Sequence, residues 1–283
     1  MREVALRCLA EASPDSGDTT FYKEPRMVIS RIRKHAVTFN WFAVFIDLLI
    51  VGVGVFLGTQ ANNWNEARLE RAAAADYRRE IISDLKANEL DLAWRKAYYE
   101  AVRQHAIAAL AVVESPARPA GEEFLVDAYQ ASQVWARPLT RAAYDEMIGA
   151  GLGRSMGVRE TRSRLTAYYT QIKQFDITAT GVTSYRDRLR RALPYSIQAD
   201  IMKRCGDRVM TLRNGVQISA LPEECALGLN AAQISSAVAR LKAADLHEDL
   251  TRQIADLDQK VAGYERFLGL AKNLRLRLQA EDQ

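Results

Sequence analysis

"WFAVFIDLLIVGVGVFLGTQANNWNEARLER" occupies residues 41–71, and within it the chain changes character. Up to residue 58 it is apolar apart from Asp47. After three asparagines and Trp64, a long charged helical pattern begins. From Trp41 to Trp64 there are 23 residue steps, about 35 Å at the helical rise. That length matches a bilayer core with part of its interfaces, and each tryptophan then falls at a boundary where indole rings prefer to lie. The reading is an uncleaved transmembrane helix over 41–61, with Trp41, Asn62, Trp64 and Asn65 marking the membrane boundary. Two other readings compete. A buried helix of a soluble core is seldom this apolar over this length. A cleaved signal peptide would use Thr59 and Ala61 as its small residues, but its apolar run is usually shorter.

Basic residues orient the span. Lys23, Arg26, Arg31, Arg33 and Lys34 precede it, whereas Arg68, Arg71 and Arg78 follow, mixed with Glu66 and Glu70. The positive-inside bias puts the N-terminus in the cytoplasm and residues 62–283 outside. For a two-membrane bacterium this means the inner membrane and the periplasm. Residues 1–40 form a cytoplasmic leader, of which 1–26, including "EASPDSGDTT", have the composition of disorder. Met27 opens a compact basic lead, "MVISRIRKH", and is an alternative translation start.

Asp47, Val51, Gly54 and Gly58 are spaced by four, three and four residues, so they share one stripe of a helix. Gly54 and Gly58 form a small-xxx-small pair that lets two backbones approach. A carboxylate at this depth normally faces protein or water. Asp47, Gly54 and Gly58 therefore point to a helix–helix interface, with a second copy or with another membrane protein. The competing reading is that Asp47 snorkels to the cytoplasmic edge and the glycines are incidental.

Beyond the junction the pattern is helical. No glycine or proline interrupts residues 59–115, so the membrane helix can continue as a stalk. Ile81, Leu85, Leu92, Tyr99, Ala106 and Val113 mark its apolar stripe, opposite Arg79, Glu80, Asp84, Lys86 and Glu89. "SPARPAG" (115–121) breaks it. A short helix is predicted over 122–134, then one N-capped by Thr140 and ended at Gly149 and Gly151. A longer helix reads over 158–193 and stops or restarts at Pro194. The last helix carries Leu250, Ile254, Leu257, Val261, Tyr264, Leu268 and Ala271, a heptad seam that packs within a bundle or against a second copy. Between these helices, "CGDRVMTLRNGVQISALPEEC" (205–225) reads as a small β-hairpin around Asn214-Gly215. Cys205 and Cys225 bracket it as a candidate disulfide, contributing about 3 kcal/mol in an oxidising compartment. Cys8 is expected to stay reduced. The fold class is thus all-α: one transmembrane helix continuing into a helical bundle.

Chemistry is sparse. The net charge of +4 is too small and too evenly spread to argue for nucleic acid by itself, and no nucleic-acid partner is expected. His35, His105 and His247 lie on separate segments, and no HExxH, phosphate loop or GxSxG elbow occurs. No metal or cofactor is expected. "GAGLG" (149–153) reads as a helix terminator. Glu122–Glu123 and Glu223–Glu224 read as exposed turn or helix-start charge, and Arg186, Arg188, Arg190 and Arg191 as a solvated face.

The junction residues Asp47, Gln60, Asn62, Asn63, Trp64, Asn65 and Glu66 carry a resemblance. "LLIVGVGVFLGTQANNWNEARLER" resembles the N-terminal signature of a family of uncharacterised bacterial single-pass membrane proteins. These show an acidic residue early in the span, an apolar run and then Gln-x-Asn-x-Trp-Asn-Glu. "AYDEMIGAGLGRSM" and "LTAYY" resemble the family's Tyr/Trp-Asp-Glu helix ending in glycine and its Tyr-Tyr helix. The resemblance covers roughly residues 41–275; the 205–225 hairpin and the long leader depart from it. It implies a membrane anchor and a helical domain, and it brings no activity. The expected role is a sensor-like or assembly module working through helix–helix contacts. A ligand-free envelope scaffold is the alternative, and an unrecognised hydrolase a remote one.

Overall fold

A computed structural model describes residues 41–281, apart from Pro116, Ala136 and Asn214. The leader, the alternative start at Met27 and Cys8 lie outside the described residues. The chain divides into two units, Met1–Trp64 and Asn65–Gln283. The fold is all-α with one small two-stranded sheet.

Helix α1, Trp41–Glu114, runs through 74 residues. Nothing in 59–114 supplies the glycine or proline that would stop it. Short helices α2 (Glu122–Gln130) and α3 (Ala142–Gly149) follow, then a single 3₁₀ turn, Leu152–Ser155. Gly151, at φ 75°, takes the left-handed conformation that ends α3. Next come α4 (Arg159–Ala179), α5 (Ser184–Ala192) and α6 (Tyr195–Cys205). Strands β1 (Arg208–Thr211) and β2 (Gln217–Ala220) pair antiparallel, Arg208 opposite Ala220 and Thr211 opposite Gln217. Helix α7 is Ala231–Ala243, and α8 is His247–Ala280.

The second unit is organised by its two long helices. In α1 the residues Ile81, Leu85, Asn88, Leu92, Arg95, Tyr99, Val102, Ala106 and Ala109 are buried. Their spacing alternates four and three, as a helix face needs when it meets another helix along its length. In α8 the buried line is Leu250, Gln253, Leu257, Lys260, Tyr264, Phe267, Ala271, Leu274 and Leu278. The two helices run antiparallel: Arg275 binds Glu89 at 2.5 Å, Tyr264 stacks on Tyr99 with centroids 5.4 Å apart, and Asp258 pairs with Arg103. Helices α4 and α5 pack against α8, while α2 meets α5, α6 and α7. Where α4 crosses α8, the Phe175 ring occupies the space that a Cβ on Gly263 would need. Phe175 also lies against Tyr264 and Phe267, at 4.9 and 4.8 Å.

Several expectations are corrected. The seam of α8 lies within its own chain and is offset from the purely apolar reading. Ile254, Val261 and Leu268 are only half-buried, while Gln253 and Lys260 take the inner positions. Gln253 Nε2 donates to Ala131 O at 2.8 Å, and Lys260 Nζ to Gly181 O at 2.7 Å. These bonds satisfy polar groups that a hydrophobicity count would place outside. Val113 is exposed rather than on the core stripe, because it faces a cavity instead of a packed neighbour. Thr140 does not cap α3. Its backbone is held from both sides by the Asn88 amide at 2.8 and 3.0 Å, and Asp84 Oδ2 caps from α1 by accepting the Ala143 N–H at 3.1 Å. The helix expected over 158–193 is two, divided at residues 180–183.

Candidate functional site

Three regions bear on function. The first is the apolar part of α1. By length and composition this helix is able to cross a membrane, and none of its apolar window is buried. Asp47, Gly54 and Gly58 share a face and are exposed, and a Cβ on either glycine would meet open space. Trp41, Asn62, Trp64 and Asn65 are exposed as well. Asn65 Oδ1 accepts a long 3.5 Å bond from Arg68.

The second region is a set of charges enclosed by the bundle. Arg95 is only 2% exposed although it sits on the seam of α1. Its Nε and Nη2 donate to the two Asp91 oxygens at 3.0 and 2.8 Å, and its Nη1 donates to Arg137 O. Arg137 Nη2 donates to Asp91 Oδ2 at 2.8 Å, and Asp176 Oδ1 lies 3.9 Å from Arg95. Burial works against the charge on Arg95. The bidentate Asp91 bond, with Tyr264 and Asp176 nearby, outweighs it and holds the guanidinium above its ordinary pKa. Burial pushes the Asp176 carboxyl up, against the Leu139 N–H and Arg95. Asp91 and Arg95 are an i,i+4 pair on α1 that the sequence reading did not single out. Their burial was not legible, because it comes from Arg137 and Asp176, far along the chain. The space beside Asp91, Arg95 and Tyr98 has no room for a water, so this cluster is filled structure.

Close by, Tyr98 OH donates to Asp207 Oδ2 at 3.0 Å. Burial raises the Asp207 pKa, against that bond and the nearby Arg186 and Arg190. A carboxyl whose pKa rises on folding stabilises the fold while protonated, and loses that contribution as pH climbs through the raised value. The protein should therefore gain stability relative to Asp207→Asn as pH falls from 7 towards 4. Paired thermal melts across that range check it; parallel curves would show that Asp207 does not titrate on folding.

The arginines of α5 are a solvated face only in part: Arg191 is exposed and pairs with the exposed Asp187, while the other three make tertiary contacts. Arg186 donates to Ser132 O, and Arg190 lies 3.5 Å over the Tyr129 ring. Arg188 pairs with Asp249 and donates to Ala244 O and Asp245 O at 2.5 and 3.0 Å, a cation on the closing carbonyls of α7. Glu122 likewise is more than surface charge. Its carboxylate accepts the N–H groups of Leu227, Gly228 and Leu229 at 2.5, 3.2 and 2.7 Å. Burial works against that charge, but these three bonds and Arg204 hold its pKa below the usual range.

Cys205 and Cys225 are joined, with Cα atoms 5.5 Å apart, the ordinary span of a disulfide. Among the described residues no three His, Cys, Asp or Glu side chains converge as metal ligands.

The third region is a cavity of about 260 Å³ where α1 ends, against α2, α7 and the start of α8. Ala109, Val112, Phe124, Ala128, Leu241 and Leu246 supply apolar wall. Tyr185 also lines it, with its hydroxyl committed to Ala128 O at 2.8 Å. Arg118, Lys242 and Asp245 are exposed and form its rim. Sequence reading missed this cavity because its walls come from four separate segments; only the break at 115–121 hinted that α1 ends there. Set against known protein families, curated proteins and solved structures, the chain finds no match.

Proposed function

We propose that the chain is a membrane-anchored helical module, held in a bacterial inner membrane by residues 41–61 with its bundle on the periplasmic side. It acts in a sensor-like or assembly role through helix–helix contacts. One observation carries the reading: the apolar stretch of α1 is long enough to cross a bilayer, and none of it is buried. An isolated apolar helix of this length has few stable environments other than lipid. The stripe of Asp47, Gly54 and Gly58 is the face offered to a second copy or another membrane protein. The Cys205–Cys225 disulfide fits an oxidising compartment. At the charge cluster, which has no space for a ligand, the second reading of a ligand-free envelope scaffold also fits; the cavity at the end of α1 does not speak for it.

Fractionation tests the anchor. The full chain should stay in the membrane pellet through an alkaline carbonate wash, and deletion of 41–58 should release it. A thiol-reactive polymer should add two more copies after reduction than before, at Cys205 and Cys225. A phosphatase fused to the C-terminus should be active and a cytosol-dependent fluorescent fusion dark. Carbonate-released wild type, or a fluorescent fusion, would overturn the assignment.

A further inference from the structure

The cavity at the end of α1 is unrelated to the apolar anchor and to the filled charge cluster. Its volume of about 260 Å³ equals roughly nine groups of water size, at about 30 Å³ each. The walls named above offer carbon; of the two hydroxyl side chains that line the space, Tyr185 already has its acceptor and Ser115 is half-buried. Along the carbon wall a hydrocarbon chain leaves water at no polar cost, whereas water there finds few partners away from the rim.

The rim sets the sign of the head group. Arg118 and Lys242 are exposed cations with no ion-pair partner among the described residues. Asp245 is the one acid on the rim; its backbone is held in the left-handed region at φ 46°, and its carbonyl accepts from Arg188. The balance at the mouth is two positive groups to one negative.

We infer that this cavity binds a single-chain aliphatic carboxylate of about eight carbons, tail inward, with its head group between Arg118 and Lys242. A phospholipid offers the same apolar tail, but its acyl carboxyl is esterified, so only the free acid brings the anionic head group. The inference stands apart from the membrane anchor, since it needs only the residues that line the cavity.

Octanoate carrying a photoreactive diazirine in its tail tests it. A native lysate containing the full tagged chain is irradiated, soluble and membrane fractions together. The chain is then purified under denaturing conditions and its labelled peptides are mapped, so loss of the anchor would not remove the readout. Labels should fall within residues 109–128 and 241–250. Excess octanoate should remove them; octylamine and added phospholipid should not, and competition by phospholipid alone would overturn the free-acid form. The paired variant Arg118→Glu and Lys242→Glu, both at exposed positions, should lower labelling about tenfold. Ala109→Phe, which fills the cavity, should abolish it while the circular dichroism stays helical. Labelling confined to 41–64, equal competition by octylamine, or labelling unchanged in the paired variant would overturn the assignment.

Discussion

Arg95→Met should lower the stability of the bundle by about 3–5 kcal/mol, the usual loss when one partner of a buried ion pair is removed. For a unit of this size that is a fall of roughly 6–20 °C in the melting temperature. The variant leaves Asp91 enclosed with Arg137 as its remaining cation, and it frees the Arg137 carbonyl that Arg95 now occupies. Asp176, whose carboxyl burial already pushes up, loses the nearest charge opposing that push. The decisive comparison is the double variant Asp91→Leu with Arg95→Met. Replacing both charges by apolar groups of similar volume is often neutral, so the double variant should regain most of the loss. Thermal unfolding of the two proteins side by side measures this. Equal damage from the single and double changes would mean that the cluster matters for its shape rather than its charge.

A second large effect separates two registers of α8. Phe267→Ala should cost about 3–5 kcal/mol, the range for emptying a buried aromatic site. Phe267 is fully buried and its ring meets Phe175 at 4.8 Å. Leu268→Ala, one residue on, should cost about 1 kcal/mol, because Leu268 is only half-buried. A seam made of apolar residues alone would reverse that order. Chemical or thermal denaturation of the two variants decides between them.

That contrast shows where sequence reading reaches and where it stops. Helicity, the apolar segment, the breaks near 115–121 and 149–151 and the hairpin are local matters, set by hydrophobic period and turn residues, and they were legible. The inner line of each long helix was half legible. Leu250, Leu257, Tyr264 and Ala271 were found, and so were Ile81, Leu85, Leu92, Tyr99 and Ala106. Asn88, Arg95, Gln253 and Lys260 were missed because each is polar, and its burial is made tolerable by a distant carbonyl or carboxylate. The Thr140 cap failed for the same reason: Asp84, 59 residues away along the chain, reaches the Ala143 N–H first. The cavity was invisible because no single segment makes it.

The stretch between β2 and α7, residues 221–230, has no helix or strand of its own. Two fastenings of different chemistry hold it down: the sulfur link at Cys225 and the Glu122 carboxylate gripping the amides of residues 227–229. A reducing agent undoes the first, and acid strong enough to protonate Glu122 undoes the second. With Leu221 and Leu227 also buried in the core, this strip of backbone should resist nicking by a protease until both fastenings are undone.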